Sequence, residues 1–309
     1  MQRQCDDLED CMFVVLGASG HTGRVAAKGL LERGQKVRVV GRSAERLQDL
    51  ASQGGEVFLA DVTDGPALSK AFRGADAAYV MVPPNSTSND YRAYQERVSD
   101  AIAAAVQNSG LKRVVALSSF GADKASGTGP VAGLHNLEEK LAQVEGANVL
   151  NLRAGYFMEN TLPQVAVVRM MGSMAGPVRP ELKLPMIATR DIGDAVAKAL
   201  LEDFRGQSTR ELQGQRDLTY VEAAAIVGKA IGKPSLGYVQ APDEQLRGAL
   251  VQMGMSANMA GLILEMAAAL NSGHMKALEP RSERNTTATS FETFVEEEFA
   301  PAYREQAAA

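Results

Sequence analysis

Near the start of the chain, Gly17-Ala18-Ser19-Gly20-His21-Thr22-Gly23 carries glycine at every third position. Glycines so spaced let a backbone turn tightly, approach a pyrophosphate closely and pack a helix against a strand. A helix starting there adds free N–H groups and a partial positive charge at the same spot. The chemistry on offer is phosphate binding, with Ser19, His21 and Thr22 acting mainly through their backbone. About 20 residues further on, where an acidic residue would accept from ribose hydroxyls, stands Gly41-Arg42-Ser43. A carboxylate would repel a 2′-phosphate, whereas a guanidinium attracts it and bonds it bidentately. Arg42 and Ser43 therefore point to NADP(H) in preference to NAD(H), and Arg24, just past the glycines, is placed to reach the same phosphate. Asp61 has two readings: an acceptor for an adenine amino group, or a turn former within Asp61-Val62-Thr63-Asp64-Gly65.

The elements that must hold these residues are visible as periodicity. Residues 12–16 (MFVVL) form an unbroken apolar run, as in a strand buried on both faces. A helix is expected over 24–33, closed by Gly34, then strands at 37–40 and 57–59 and a short helix at 66–72 with Pro66 in its first turn. A fourth strand, 77–82, stops at Pro83-Pro84; a long helix follows at 91–108, a strand at 114–117, a helix at 131–144 and a strand at 148–152. A helix capped by Asp191 and a strand near 211–214 come later. Strands alternating with helices predict an α/β fold, a doubly wound parallel sheet of the Rossmann kind with a smaller C-terminal substrate lobe. The boundaries expected are 12–155 for the dinucleotide-binding domain and 156–309 mainly for the lobe, with 187–215 returning to the sheet.

The chain has 309 residues, 45% hydrophobic and 22% charged, enough apolar content to exclude disorder as its main state. A net charge of −5 argues against broad nucleic-acid binding, and no apolar run approaches membrane-spanning length. The leader MQRQCDDLEDC is acidic where a secretory signal would be basic, so a cytoplasmic location is expected. Both cysteines, Cys5 and Cys11, lie in it, and residues 12–309 offer none to a structural metal site. No metal is expected.

Several segments resemble the short-chain dehydrogenase/reductase superfamily: LGASGHTGR, GRS after the second strand, DVTD after the third and Ser118-Ser119 after the fifth. LRAGYFMEN (152–160) and IATRDIGDAVAKAL (187–200) resemble its atypical NmrA-like branch. That branch contains NADPH-dependent quinone, azo-dye and triphenylmethane-dye reductases, and NADP-binding regulators without turnover. The resemblance implies Gly17, Ser19, Gly20, Thr22 and Gly23 on the pyrophosphate and Arg42 with Ser43 on the 2′-phosphate. It places Asp61 and Val62 at adenine, Val82 and Pro83 beside the nicotinamide ribose, and Tyr156 and Phe157 near the nicotinamide.

Standard members of the superfamily protonate the substrate with a tyrosine, assisted by a lysine four residues later. None of the seven tyrosines here has lysine at that spacing, and the residue four before Lys140 is Asn136. An amide cannot replace a phenol as an acid, which argues against carbinol dehydrogenation and sugar epimerisation. Lys140 remains a candidate for the cofactor ribose or a solvated helix-face lysine. His135 is a candidate acid or polar contact, or a helix-end histidine. Ser118 and Ser119 are candidates for holding substrate or nicotinamide, or turn formers. Hydride transfer to an electron-poor aromatic acceptor needs no strong acid. Met81, Phe120, Tyr156, Phe157, Met158 and the Met170-Met171-Met174 cluster offer an apolar wall for a flat ligand, with core filling as the alternative. The resulting expectation is an NADPH-dependent reductase of a small quinone-like or azo-like aromatic acceptor. The alternatives are a non-catalytic NADP(H) sensor that binds a protein partner and, third, a nucleotide-sugar epimerase-like enzyme.

Overall fold

The run MFVVL becomes the innermost strand because its side chains alternate between two buried faces. Phe13 and Val15 enter one core, Val14 and Leu16 the other. The computed structural model describes residues 11–308, with side chains to residue 305; the acidic leader, residues 1–10, lies outside the described residues. The first half alternates strictly: β1 Met12–Leu16, α1 His21–Leu31, β2 Lys36–Gly41, α2 Gln48–Ser52, β3 Glu56–Leu59, α3 Gly65–Phe72, β4 Ala77–Val80, α4 Tyr91–Ser109, β5 Arg113–Ser119, α5 Ala132–Ala142 and β6 Asn148–Ala154. The second half is less regular: β7 Tyr156–Phe157, α6 Gln164–Met171, β8 Met174–Gly176, β9 Leu184–Ile187, α7 Thr189–Leu201, β10 Gln207–Leu212, β11 Asp217–Leu218, α8 Tyr220–Ala230, β12 Tyr238–Gln240, α9 Asp243–Gln252, α10 Ala257–Ser272, α11 Phe291–Phe294 and α12 Ala300–Ala308.

Seven strands form one parallel sheet in the order β10-β6-β5-β4-β1-β2-β3. The chain order reverses at β1, and the carboxyl ends of β1 and β4 flank the crevice where doubly wound sheets bind ligands. On one face α1 and α7 bury Ala26, Leu30, Val196 and Leu200; on the other α3, α4 and α5 bury Phe72, Ile102 and Leu137. Local chemistry sets several ends. Asp64 accepts from Ala67 N–H at 2.9 Å ahead of Pro66, and Asp90 accepts from Ala93 N–H at 3.0 Å. Gly110 ends α4 in the left-handed region at φ 70°.

Two small sheets, β11-β9-β7 and β12-β8, join α6 and α8 to α12 around Met158, Met174, Met186, Met275 and Phe291, Phe294 and Phe299. A strap from Leu278 to Thr287 covers the outer edge of β10. Glu211 accepts from the N–H groups of Leu278 and Glu279, Asn285 C=O accepts from Gln213, and Gly214 C=O accepts from Thr287. An open strand edge is thereby closed to other chains. The helix expected to be capped by Asp191 begins at Thr189 instead. Asp191 is buried and accepts from Thr289 N–H at 2.9 Å and Thr289 Oγ1 at 2.6 Å, fastening the strap to α7. Glu159 serves the helix start, accepting from Thr189 N–H at 2.8 Å and Thr189 Oγ1 at 2.6 Å.

Candidate dinucleotide and acceptor site

The glycine turn joins β1 to α1, and each glycine has a distinct reason to be there. Gly17 takes φ +64°, and its carbonyl accepts from Gly20 N–H at 2.8 Å. A Cβ on Gly23 would lie 2.4 Å from that carbonyl oxygen, so only glycine lets α1 start so close to the strand. Gly20 is the N-cap with no side-chain cap, and the first turn of α1 contains no acidic residue. The first N–H groups of a helix have no partner within it, and here no carboxylate competes for them. Thr22 is buried, and its hydroxyl is paired with Tyr79 Oη at 2.8 Å, so it can serve a ligand only through its N–H. His21 is exposed and Ser19 half-buried.

Arg42 follows β2 with its side chain exposed and no hydrogen bond or ion pair among the described residues. Its charge is felt by Asp61 and by the Tyr94 phenol. Ser43 Oγ accepts weakly from Arg46 N–H at 3.4 Å. Asp61 accepts from Thr63 N–H at 2.9 Å and Thr63 Oγ1 at 2.6 Å, the turn-forming arrangement. Those two hydrogen bonds hold its carboxyl below the usual value, and Arg42 adds to the effect. Val62 packs against the core below. Past β4, Met81 lies against the turn, its Sδ 3.1 Å from where a Gly17 Cβ would stand, while Val82 is buried and Pro83 half-buried.

Four expected roles meet different placements. Arg24 is not directed at a phosphate: it forms an ion pair with Asp49 of α2 and donates to Arg46 C=O at 2.9 Å. Lys140 stands in the last turn of α5, paired with Asp100 and 4.0 Å from Glu96, both on α4. It is eight residues along a helix that rises about 1.5 Å per residue away from the strand ends, and its charge is spent on α4. Ser118 is 2% exposed and donates to Glu138, whose carboxylate also receives Arg153 Nε at 3.0 Å and Nη2 at 2.6 Å. Strand alternation turns Ser119 the other way, half-buried, with Oγ donating to Phe120 C=O at 3.1 Å. Phe120 and Met158 are 3% and 1% exposed, members of the lobe core and not of an open wall. Met170 and Met171 point outward, 84% and 61% exposed, while Met174 is buried.

His135 donates from Nδ1 to Ala122 C=O at 2.9 Å and so ties the segment after β5 to the first turn of α5. Tyr156 and Phe157 leave the end of β6, pair with Met186 and Ile187 of β9, and are half-buried. Tyr220 and Glu138 were not anticipated. Tyr220 reaches Tyr156 from 64 residues away, and Glu138 looked like one of several charges in Glu138-Glu139-Lys140. Among the described residues no group of three or more His, Cys, Asp or Glu could hold a metal, and no helix is long and apolar enough to cross a membrane. A cavity of about 490 Å³ lies apart from the glycine turn, between α7, β10 and the strap. Asp194, Lys198, Glu202, Arg210 and Arg284 line it, a mixed-charge surface unsuited to a flat apolar ligand.

The sheet order, glycine turn and open helix start define an α/β protein of the doubly wound class. Residues 10–299 match the model of the NmrA-like family, and the chain belongs to that family. It is 27% identical over 226 residues to a (4-alkanoyl-5-oxo-2,5-dihydrofuran-3-yl)methyl phosphate reductase of Streptomyces griseus, covering 72% of this chain and 75% of that protein. It is 26% identical over 258 residues to quinone oxidoreductase 2 of Escherichia coli, covering 82% and 86%. The crystal structure of the Escherichia coli NADPH-dependent quinone oxidoreductase complexed with NADPH superposes with a TM-score of 0.78 at 21% identity, over 96% of this chain and 99% of that one.

Proposed function

We propose that this chain is an NADPH-dependent reductase that delivers a hydride to a quinone-like or azo-like aromatic acceptor without a Tyr-Lys acid pair. One observation carries the cofactor choice: Arg42 stands exposed and unpaired at the end of β2, beside an α1 start that no carboxylate occupies. A guanidinium there with no hydrogen bond or ion pair among the described residues, its charge felt only at a distance by Asp61 and Tyr94, suits a 2′-phosphate. In this reading Gly17, Ser19, Gly20, Thr22 and Gly23 present N–H groups to the pyrophosphate, and Arg42 and Ser43 hold the 2′-phosphate. Asp61 and Val62 border the adenine, Val82 and Pro83 flank the nicotinamide ribose, and Tyr156 and Phe157 approach the ring. Residues 12–155 with the returning segment 187–215 form the nucleotide half, and the remainder past 156 covers the acceptor. Bound NADPH supplies the hydride; the protein orients the acceptor and excludes water. The similarity to reductases of small conjugated carbonyl compounds supports the same reading.

The test is Arg42→Ala with both cofactors. Losing charge-assisted bonds worth about 1.5–3 kcal/mol weakens NADPH binding by roughly 10- to 100-fold and leaves NADH nearly unchanged. Calorimetry measures both; an equal loss for the two cofactors refutes the assignment.

A further inference from the structure

Three tyrosines remote in sequence meet beside the expected acceptor position. Tyr220 Oη donates to Tyr156 Oη at 3.1 Å, with the rings edge to face at 6.3 Å between centroids. Tyr238 stacks on Tyr220 at 4.5 Å and spends its own proton on Val178 C=O at 2.9 Å. The Tyr156 oxygen therefore receives a hydrogen bond, and the side chain of Asn160 also acts on it. Tyr220 is 6% exposed, Tyr156 is half-buried against the lobe core and Asn160 is exposed.

We propose that Tyr156 is the proton donor to an oxygen of the acceptor, oriented by Tyr220 and Tyr238, and that the acceptor is accordingly a quinone. This rests on the reductase reading. A quinone gains two electrons with the hydride and must also gain a proton to become a hydroquinone. The Tyr156 O–H bond breaks, a new O–H bond forms on the acceptor oxygen, and the phenolate oxygen is left facing Tyr220 Oη and Asn160. Water returns the proton. Burial raises the phenol above its ordinary value while Tyr220 and Asn160 act in the opposite sense, so Tyr156 is protonated at neutral pH and its phenolate is stabilised by the same two groups. A phenol with a donor aimed at its oxygen performs the task that a Tyr-Lys pair performs elsewhere, from the lobe and not from α5.

A cationic triarylmethyl dye provides an internal control, because it takes hydride at carbon and needs no proton. Tyr156→Phe keeps the ring and its packing. It should lower kcat for a benzoquinone on the order of 100-fold more than kcat for the dye, the scale of general acid catalysis. Tyr220→Phe, the positioning change, should lower quinone kcat less, with KM unchanged and dye turnover intact. Independently of turnover, calorimetry on the NADP⁺-saturated protein should show weaker quinone binding in Tyr156→Phe. Equal losses on quinone and dye, or undiminished quinone kcat, overturn the inference. If the unaltered protein turns over neither acceptor, the reductase reading falls, and equal quinone affinity of the two proteins then overturns the Tyr156 assignment separately.

Discussion

Changing Gly23 to alanine adds one methyl group to the tightest point of the turn. The new Cβ would lie 2.4 Å from Gly17 O, 2.8 Å from Gly17 C and 3.2 Å from Ala18 Cα, all backbone atoms. Real Cβ contacts do not fall below 3.0 Å, so the Gly17 carbonyl must recede from 2.4 Å to at least 3.0 Å. That carbonyl holds Gly20 N–H at 2.8 Å, and the displacement opens the turn. Overpacking costs about 1–3 kcal/mol, and alanine returns about 0.5–1 kcal/mol through helix propensity, leaving a net loss of about 1 kcal/mol at the middle of these ranges and about 2.5 kcal/mol at most. The unfolding temperature should fall by roughly 2–8 °C. A backbone shift of this size also misplaces ligand-binding N–H groups, for which an error of about 1 Å costs on the order of 100-fold, so the stabilisation conferred by NADPH should shrink markedly. The matched control is Gly248→Ala in α9, where a Cβ meets nothing within 4 Å and the same helix-propensity gain stands alone. Thermal unfolding with and without NADPH reads both variants. If Gly23→Ala melts with the parent and keeps its NADPH-induced shift, the steric account of the turn is wrong.

Two further changes probe the supports of the site. Glu138→Gln leaves Arg153 with no full counter-charge between side chains 8% and 14% exposed; denaturant unfolding should show a loss of about 3 kcal/mol. A Glu138→Leu/Arg153→Met double change should recover most of it, and no recovery would mean the pair matters beyond its own charges. Asp61→Asn tests the turn after β3. The folded carboxyl is held below its unfolded value by Thr63, so its stabilisation is present above the unfolded pKa and is lost as pH falls through the lowered folded pKa. The stability gap between parent and variant should be small at neutral pH, because Asp61 is mostly exposed, and should close in acid; a gap unaffected by pH contradicts a charge-dependent role.

What the sequence disclosed was decided locally. Apolar runs made β1 and β4, proline and aspartate set the start of α3, and the three glycines marked the turn, because each depends on neighbours within a few residues. The misplaced roles depended on partners far along the chain. Asp191 looked like a cap by its position, but Thr289 claimed its carboxylate. Ser118 and Ser119 are equivalent as letters; since β5 continues through both, alternation sends the first to Glu138 and leaves the second nearer the strand ends. Arg24 and Arg42 are equivalent as cations, and only the presence of Asp49 on α2 separates a paired arginine from an available one.

The missing Tyr-Lys pair acquires a physical meaning once α5 is seen in place. The ionisable side chains of α5 other than the exposed Glu139 each have a structural engagement, whereas Asn136 Oδ1 is buried without a hydrogen-bond partner among the described residues. Glu138 binds Ser118 and Arg153 and so clamps β5 to β6; Lys140 is held by Asp100; His135 fixes the segment after β5. A helix committed to clamping two strands cannot also present an ionisable donor without unpairing a buried charge, which costs several kcal/mol. The lobe carries no buried ion pair at Tyr156, whose oxygen accepts from Tyr220 and is also acted on by the Asn160 side chain. In the proposed reading, loss of an acid from the helix and its appearance in the lobe are thus one arrangement: the sheet half would hold the dinucleotide, and the half that meets the acceptor would supply the proton.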